Sequence, residues 1–242
     1  MADNTIIITK NYEQMSQEAA KQIITTIKKH PEGLYCFAGG DTPVRTLQLL
    51  VEAHNNKEID LTKAFYIELD EWVGLDQSDS GSCLSYLKKN LFDIADIPDR
   101  QIHSFDSLAN DLKEECVKAD TYIDSHGGIT LSLLGVGVNG HLGFNEPGVD
   151  FDNNAHVINL DEKTQTVGQK YFESEKKLAQ GITLGIKQLL ASKVLIVEAN
   201  GSKKREALRH LSKKVVDNNW PVTVVTKHPN CYLFFDEEAF EK

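Results

Sequence analysis

Runs rich in β-branched and aromatic residues alternate along this chain with segments of helical period, and that alternation predicts an α/β fold on a doubly wound parallel sheet. Glycine-bearing or polar turns follow directly after several of the strand candidates, where an open sheet of this kind places its ligands. The 242 residues, 40% of them hydrophobic, show no break in composition, so residues 1–242 are read as a single domain with one full core.

"TIIIT" (5–9) reads as the first strand. Met15, Ala19, Ile23 and Ile27 then recur every four residues and give a helix that "HPEG" stops. "LYCFA" (34–38) is the next strand, followed by the helical segment "VRTLQLLVEA". After "AFYIEL" (64–69), Leu84, Leu87 and Leu91 mark one helix, and Leu108, Leu112, Cys116, Ala119 and Ile123 mark another. "TLSLLGV" (130–136), "KVLIVEA" (193–199), "PVTVV" (221–225) and "CYLFFD" (231–236) complete the strand candidates. The sequence has no internal repeat and no low-complexity linker.

A net charge of −10, from 36 acidic against 26 basic residues, gives no basic footprint for nucleic acid or an anionic membrane. An anionic ligand must then be held locally, by backbone N–H groups and a few cations. Cys36, Cys83, Cys116 and Cys231 lie far apart without metal-ligand spacing, which points to reduced thiols rather than zinc or disulfides. The N-terminus lacks a signal-like pattern and no apolar run reaches the roughly eighteen residues of a membrane span, so a cytoplasmic protein is expected.

Three turns carry the chemistry. Gly39, Gly40, Asp41 and Thr42 follow "LYCFA" and lead through Pro43 into a helix, an arrangement that lets backbone approach an anion closely. Asp70 and Glu71 follow a run too apolar for a surface loop, so at least one carboxylate is expected in a partly dry crevice, an environment that suits a base. In "LLGVGVNGHLGFNEPG" (133–148), His141 sits at a strand exit after Asn139-Gly140, with Asn145 and Glu146 close behind. A carboxylate within folding reach can orient the histidine ring, and the sharper reading makes His141 and Glu146 an acid/base pair.

"DEWVGL" from Asp70, "LLGVGVNGHLGFNEPG" and "NGSKKREAL" (200–208), in that order and spacing, resemble the glucosamine-6-phosphate deaminase (isomerase) family, which is related to the 6-phosphogluconolactonases. The likeness covers nearly the whole chain, and "GHLGFNEPG" is its most specific part. It implies a Rossmann-like doubly wound sheet, in agreement with the pattern above. It further implies that Asp70 shuttles a proton between sugar carbons 2 and 1, and that His141 protonates the ring oxygen with Glu146 and Asn139 in support. By the same resemblance the turn Gly39, Gly40, Asp41 and Thr42 cradles a phosphate that Lys204 also reaches. The scheme requires no metal or organic cofactor. The implied partner is a small sugar phosphate; no nucleic-acid or membrane partner is implied, and a homo-oligomer is left open.

Departures from the family pattern shape the expectations. Asp41, in "AGGDTP", brings a negative charge beside the implied phosphate, and the loop is similar in shape to the lactonase "SGGSTP". Lys170 in "QKYF" stands where the family's lid usually supplies an arginine, giving charge without a bidentate fork. Residues 79–93 lack the "NSY" pattern often seen in the deaminases, which keeps galactosamine 6-phosphate open beside glucosamine 6-phosphate. Three classes of function stand: an amino-sugar-phosphate isomerase-deaminase, a sugar-phosphate lactonase, and a non-catalytic sugar-phosphate sensor.

Overall fold

A seven-stranded parallel sheet takes up most of the strand candidates, with ends shifted by a residue or two. The computed structural model describes residues 4–240. The first half runs β1 (Thr5–Thr9), α1 (Tyr12–Lys29), β2 (Leu34–Phe37), α2 (Val44–Asn55), β3 (Phe65–Glu68), β4 (Asp70–Trp72), α3 (Cys83–Leu87), β5 (Ile102–His103) and α4 (Leu112–Ser125). The second runs β6 (Leu131–Gly135), β7 (His156–Asn159), α5 (Glu162–Gly168), β8 (Gln180–Thr183), α6 (Ile186–Leu190), β9 (Val194–Ala199), α7 (Arg205–Ser212), β10 (Cys231–Asp236) and α8 (Glu237–Phe240).

The two-residue period of each strand sends alternate side chains to opposite faces. Tyr35, Leu133, Ile196 and Phe234 join Ile23 of α1, Leu47 of α2 and Leu84 of α3 on one face. Their neighbours Cys36, Leu134, Val197 and Phe235 join Ala119 of α4, Leu189 of α6 and Leu208 of α7 on the other. Helices thus cover both faces of a sheet ordered β1-β10-β9-β6-β2-β3-β5. From β2 the chain proceeds outward to β3 and β5, whereas β6 lies on the other side of β2 and leads to β9 and β10. The switch point between β2 and β6 is where a doubly wound sheet opens a crevice.

The structure corrects the sequence reading in three places. "PVTVV" is not a strand: Pro221–Lys227 forms a 3₁₀ helix. A short buried apolar run cannot be told from a buried helix by periodicity alone, and Pro221 at the first helical position favours the helix. Leu108 lies outside α4 and is 55% exposed, because Asp111 caps the helix by accepting the N–H groups of Lys113 and Glu114. A second sheet, β4-β8-β7, is antiparallel and was absent from the reading; it pairs Asp70 with Thr183 and His156 with the same Thr183. Among the described residues no helix is long and apolar enough to cross a membrane.

Glu198, in the middle of the main sheet, is fully buried, with Thr46 donating to one carboxyl oxygen and the other left without a partner among the described residues. Burial pushes its carboxyl from the ordinary 4.5 up to about 8. Between those values the unfolded chain releases a proton that the folded chain keeps, so the site costs stability as pH rises from the lower to the higher. Glu198→Gln should remove that dependence and raise stability near pH 7 by on the order of 2–3 kcal/mol. Urea unfolding of both proteins across this pH span tests it; parallel pH curves would refute the assignment.

Candidate active site

Loops leaving β2, β6 and β9 and the start of β4 enclose a cleft of about 630 Å³ over the switch point. Gly39, Gly40, Asp41, Thr42, Asp70, His141, Lys170 and Lys204 all line it, so the structure brings together the residues that the sequence singles out at distant positions. Asn139 and Glu146 are buried behind His141.

The glycine turn fits closely. A Cβ on Gly39 would stand 2.8 Å from the Cys83 carbonyl oxygen, and Gly40 adopts φ +132°, a conformation that glycine takes without strain. Thr42 Oγ1 donates to Asn200 Oδ1 at 3.0 Å, tying the turn to the exit of β9. The Arg45 N–H is taken by the Tyr12 hydroxyl at 3.0 Å, which ties the first turn of α2 to α1. Two of the departures noted in the sequence meet here: Lys170 Nζ lies 2.6 Å from Asp41 Oδ2, and the Tyr86 hydroxyl donates to Asp41 Oδ1 at 3.1 Å. Lys204 closes the same end. Burial pushes its ammonium down to about 8, with repulsion from Lys170 and Lys203 adding to the effect and Asp41 opposing it.

Asp70 is 6% exposed, and its Oδ1 has no hydrogen-bond partner among the described residues. Burial, reinforced by the charge of Glu71, pushes its carboxyl up to about 8, with the Cys83 thiol pulling weakly the other way. Glu71 is a different kind of acid. Its carboxylate accepts the N–H groups of Trp72, Cys83 and Leu84 at 2.8, 3.0 and 3.1 Å, so it organises the start of α3 rather than facing the cleft.

Gly140, at φ +82°, turns the chain before His141, and Val222 donates to the Gly140 carbonyl at 2.8 Å. The Pro221–Lys227 helix therefore buttresses the histidine turn. The Thr164 hydroxyl lies 3.2 Å from His141 Nδ1, and Glu146 Oε2 stands at 3.6 Å, beyond hydrogen-bonding range. The carboxylate that the sequence places within folding reach of the ring thus stands at ion-pair distance, with the hydroxyl closer. Glu146 is itself fixed, accepting from Asn139 Nδ2 at 2.9 Å and from the Asp161 N–H at 3.3 Å. Burial raises its carboxyl, but His141, Thr164 and Asn139 together outweigh burial and hold it below its usual value. Thr164, Tyr86, Asn200 and Cys83 were not singled out in the sequence: Thr164 lies in a segment with no local signal, and the other three lie in segments that drew notice for other residues. Among the described residues no group of three or more His, Cys, Asp or Glu side chains is arranged to hold a metal ion.

Fold and site together define a doubly wound α/β protein with a dry acid, a buttressed histidine and two lysines around one strand-exit cleft. Residues 9–233 match the family model described as glucosamine-6-phosphate isomerases/6-phosphogluconolactonase, and the chain belongs to that family. It is 36% identical to a glucosamine-6-phosphate deaminase of Oceanobacillus iheyensis over 98% of this chain and 95% of the relative. Identity to a deaminase of Bacillus pumilus is 35%, over 97% and 98% of the two chains. The solved structure of a monomeric glucosamine-6-phosphate deaminase superposes with a TM-score of 0.93 at 31% identity, covering 97% of this chain and 98% of the other. A 6-phosphogluconolactonase of Trypanosoma brucei shares the fold, with a TM-score of 0.76 at 19% identity over 99% and 98% of the chains.

Gly137 sets the room for the histidine, because a Cβ there would lie 2.4 Å from the His141 ring atoms. Gly137→Ala should leave the sheet intact by far-ultraviolet circular dichroism and displace the ring, seen as altered His141 ¹⁵N resonances. Parent-like ring resonances in a folded variant would show that Gly137 does not set the ring's place.

Proposed function

We propose that this protein is an amino-sugar-phosphate isomerase-deaminase, converting glucosamine 6-phosphate and water to the ketose 6-phosphate and ammonia. The observation that carries this reading is Asp70, a dry carboxyl facing the same cleft as His141 and two lysines. An aldose-ketose shift needs one carboxylate to take a proton from carbon 2 and return it to carbon 1, and a buried carboxylate whose affinity for protons is raised suits that transfer. His141 delivers a proton to the ring oxygen as the sugar opens, with Glu146 and Asn139 behind it. The phosphate lies against Gly39, Gly40, Asp41 and Thr42 and takes charge-assisted hydrogen bonds from Lys204 and Lys170. The deaminases that this chain resembles over its whole length support this reading above the lactonase alternative, for which the likeness is in fold.

The direct test is ammonia release from glucosamine 6-phosphate and galactosamine 6-phosphate side by side, with 6-phosphogluconolactone hydrolysis as control. Ammonia from either amino sugar supports the reading and ranks the epimers; lactone hydrolysis alone overturns it. Asp70→Asn should keep the fold and lower turnover by about two orders of magnitude or more, because an amide cannot shuttle the proton. A folded variant with near-parent turnover would remove Asp70 from the mechanism.

The pH profile follows from the same groups. Asp70 works ionised and so gains activity as pH rises toward about 8, whereas Lys204 binds phosphate protonated and so loses it as pH rises through about 8. The profile of kcat/KM should therefore be bell-shaped and peak near 8. Lys204→Arg, whose charge does not titrate in this range, should flatten the alkaline limb. An unchanged alkaline limb would mean that another group sets it.

A further inference from the structure

The segment from Glu162 to Tyr171 touches both ends of the cleft. At one end Thr164, 4% exposed, places its hydroxyl 3.2 Å from His141 Nδ1, the same nitrogen that stands 3.6 Å from Glu146 Oε2. At the other, Lys170 lies 2.6 Å from Asp41 in the glycine turn, with its Nζ 4.7 Å from the Tyr171 ring centroid. Between them Gly168 packs so tightly that a Cβ would stand 2.6 Å from the Trp72 ring, two residues along β4 from Asp70. The segment begins on the same carboxylate, since the N–H of Asp161, the cap of α5, donates to Glu146 Oε1 at 3.3 Å.

We propose that Thr164 is a positioning residue whose hydroxyl bridges His141 and Glu146, and that phosphate binding at Lys170 sets the His141 ring through the segment that carries both. The proposal rests on the proposed function for its substrate, but the bridge itself is a statement about this chain's own side chains. A hydroxyl both accepts and donates, so it can take the Nδ1 proton bond and pass its own hydrogen to Glu146, spanning the 3.6 Å that separates ring and carboxylate. That arrangement keeps Nδ1 protonated and leaves Nε2 as the nitrogen that exchanges a proton with the sugar. The tie at the far end suits a hand-over. An exposed ion pair such as Lys170 with Asp41 contributes little, so a phosphate can draw the lysine away from the carboxylate.

The test uses Thr164→Val, which keeps the shape and removes the hydroxyl, and Thr164→Ser, which keeps the hydroxyl. Thr164→Val should lower kcat on the cyclic amino-sugar phosphate by about tenfold or more, with KM and the affinity for inorganic phosphate within about twofold of the parent. Thr164→Ser should recover kcat to within about threefold of the parent. Adding inorganic phosphate to the parent should shift the His141 ¹⁵N resonances, and Thr164→Val should suppress that shift. Parent-like kcat in Thr164→Val, a Ser variant no better than Val, or a phosphate-induced shift that survives in Val would each overturn the proposal. If the parent releases no ammonia from either amino sugar yet the ring shift depends on Thr164, the bridge stands and the functional reading falls.

Discussion

Burying Asp70 next to Glu71 sets the terms that the surrounding structure meets. Two adjacent carboxyls in a dry setting resist ionising together, so one must be satisfied if the other is to stay available. The division is visible: Glu71 takes three backbone N–H groups, while Asp70 retains a carboxyl oxygen without a partner among the described residues. Those N–H groups come from Trp72 and from Cys83 and Leu84 at the start of α3, which fixes where α3 begins. Gly39 can then pack on the Cys83 backbone, and the glycine turn acquires its place from the same carboxylate. The antiparallel pairing of Asp70 with Thr183 completes the enclosure by binding β4 to β8.

How far the sequence could be read follows from where each structural signal resides. Parallel strands buried on both faces read as continuous apolar runs, which is why "LYCF", "LSLLG" and "VLIVEA" stand out, and a doubly wound sheet places ligands beyond their ends. Asp70, His141 and the glycine turn could therefore be singled out together. The second sheet left no such trace: β4 is the acidic "DEW", and β7 and β8 are four-residue strands of mixed character. The contacts of Thr164 and Asn200 were hidden for another reason. Their partners lie 23 and 158 residues away, and only the fold brings hydroxyl to histidine or amide to threonine.

Asp41 and Lys170 show how two departures can become one feature. Taken singly, an aspartate beside a phosphate turn is a liability and a lysine in place of an arginine loses a bidentate fork. Together they form an ion pair, with Tyr86 donating to the same carboxylate. At about half exposure such a pair contributes roughly 0–1 kcal/mol, too little to matter for folding. Its consequence is positional: the pair places the Gln169–Tyr171 turn of the chain beside the glycine loop, with a cation lining the cleft.

An acidic chain that binds an anion must build the necessary field locally, since a net charge of −10 supplies none of it at long range. Lys204 bears the cost: desolvation and the neighbouring Lys170 make its ammonium easier to deprotonate than in water. A phosphate dianion beside it reverses both effects by returning an opposite charge to a dry site. Asp70 is the mirror case at the other end, where burial and Glu71 favour the neutral form. Both groups thus titrate close to 8 for opposite reasons, and the two settings have one origin in the water-poor cleft over the β2–β6 switch point. Widening that cleft to solvate Lys204 would tighten the lysine's hold on its proton and relax Asp70 toward an ordinary carboxylate. Proton affinities at the two ends are therefore adjusted together by how dry that one cleft is.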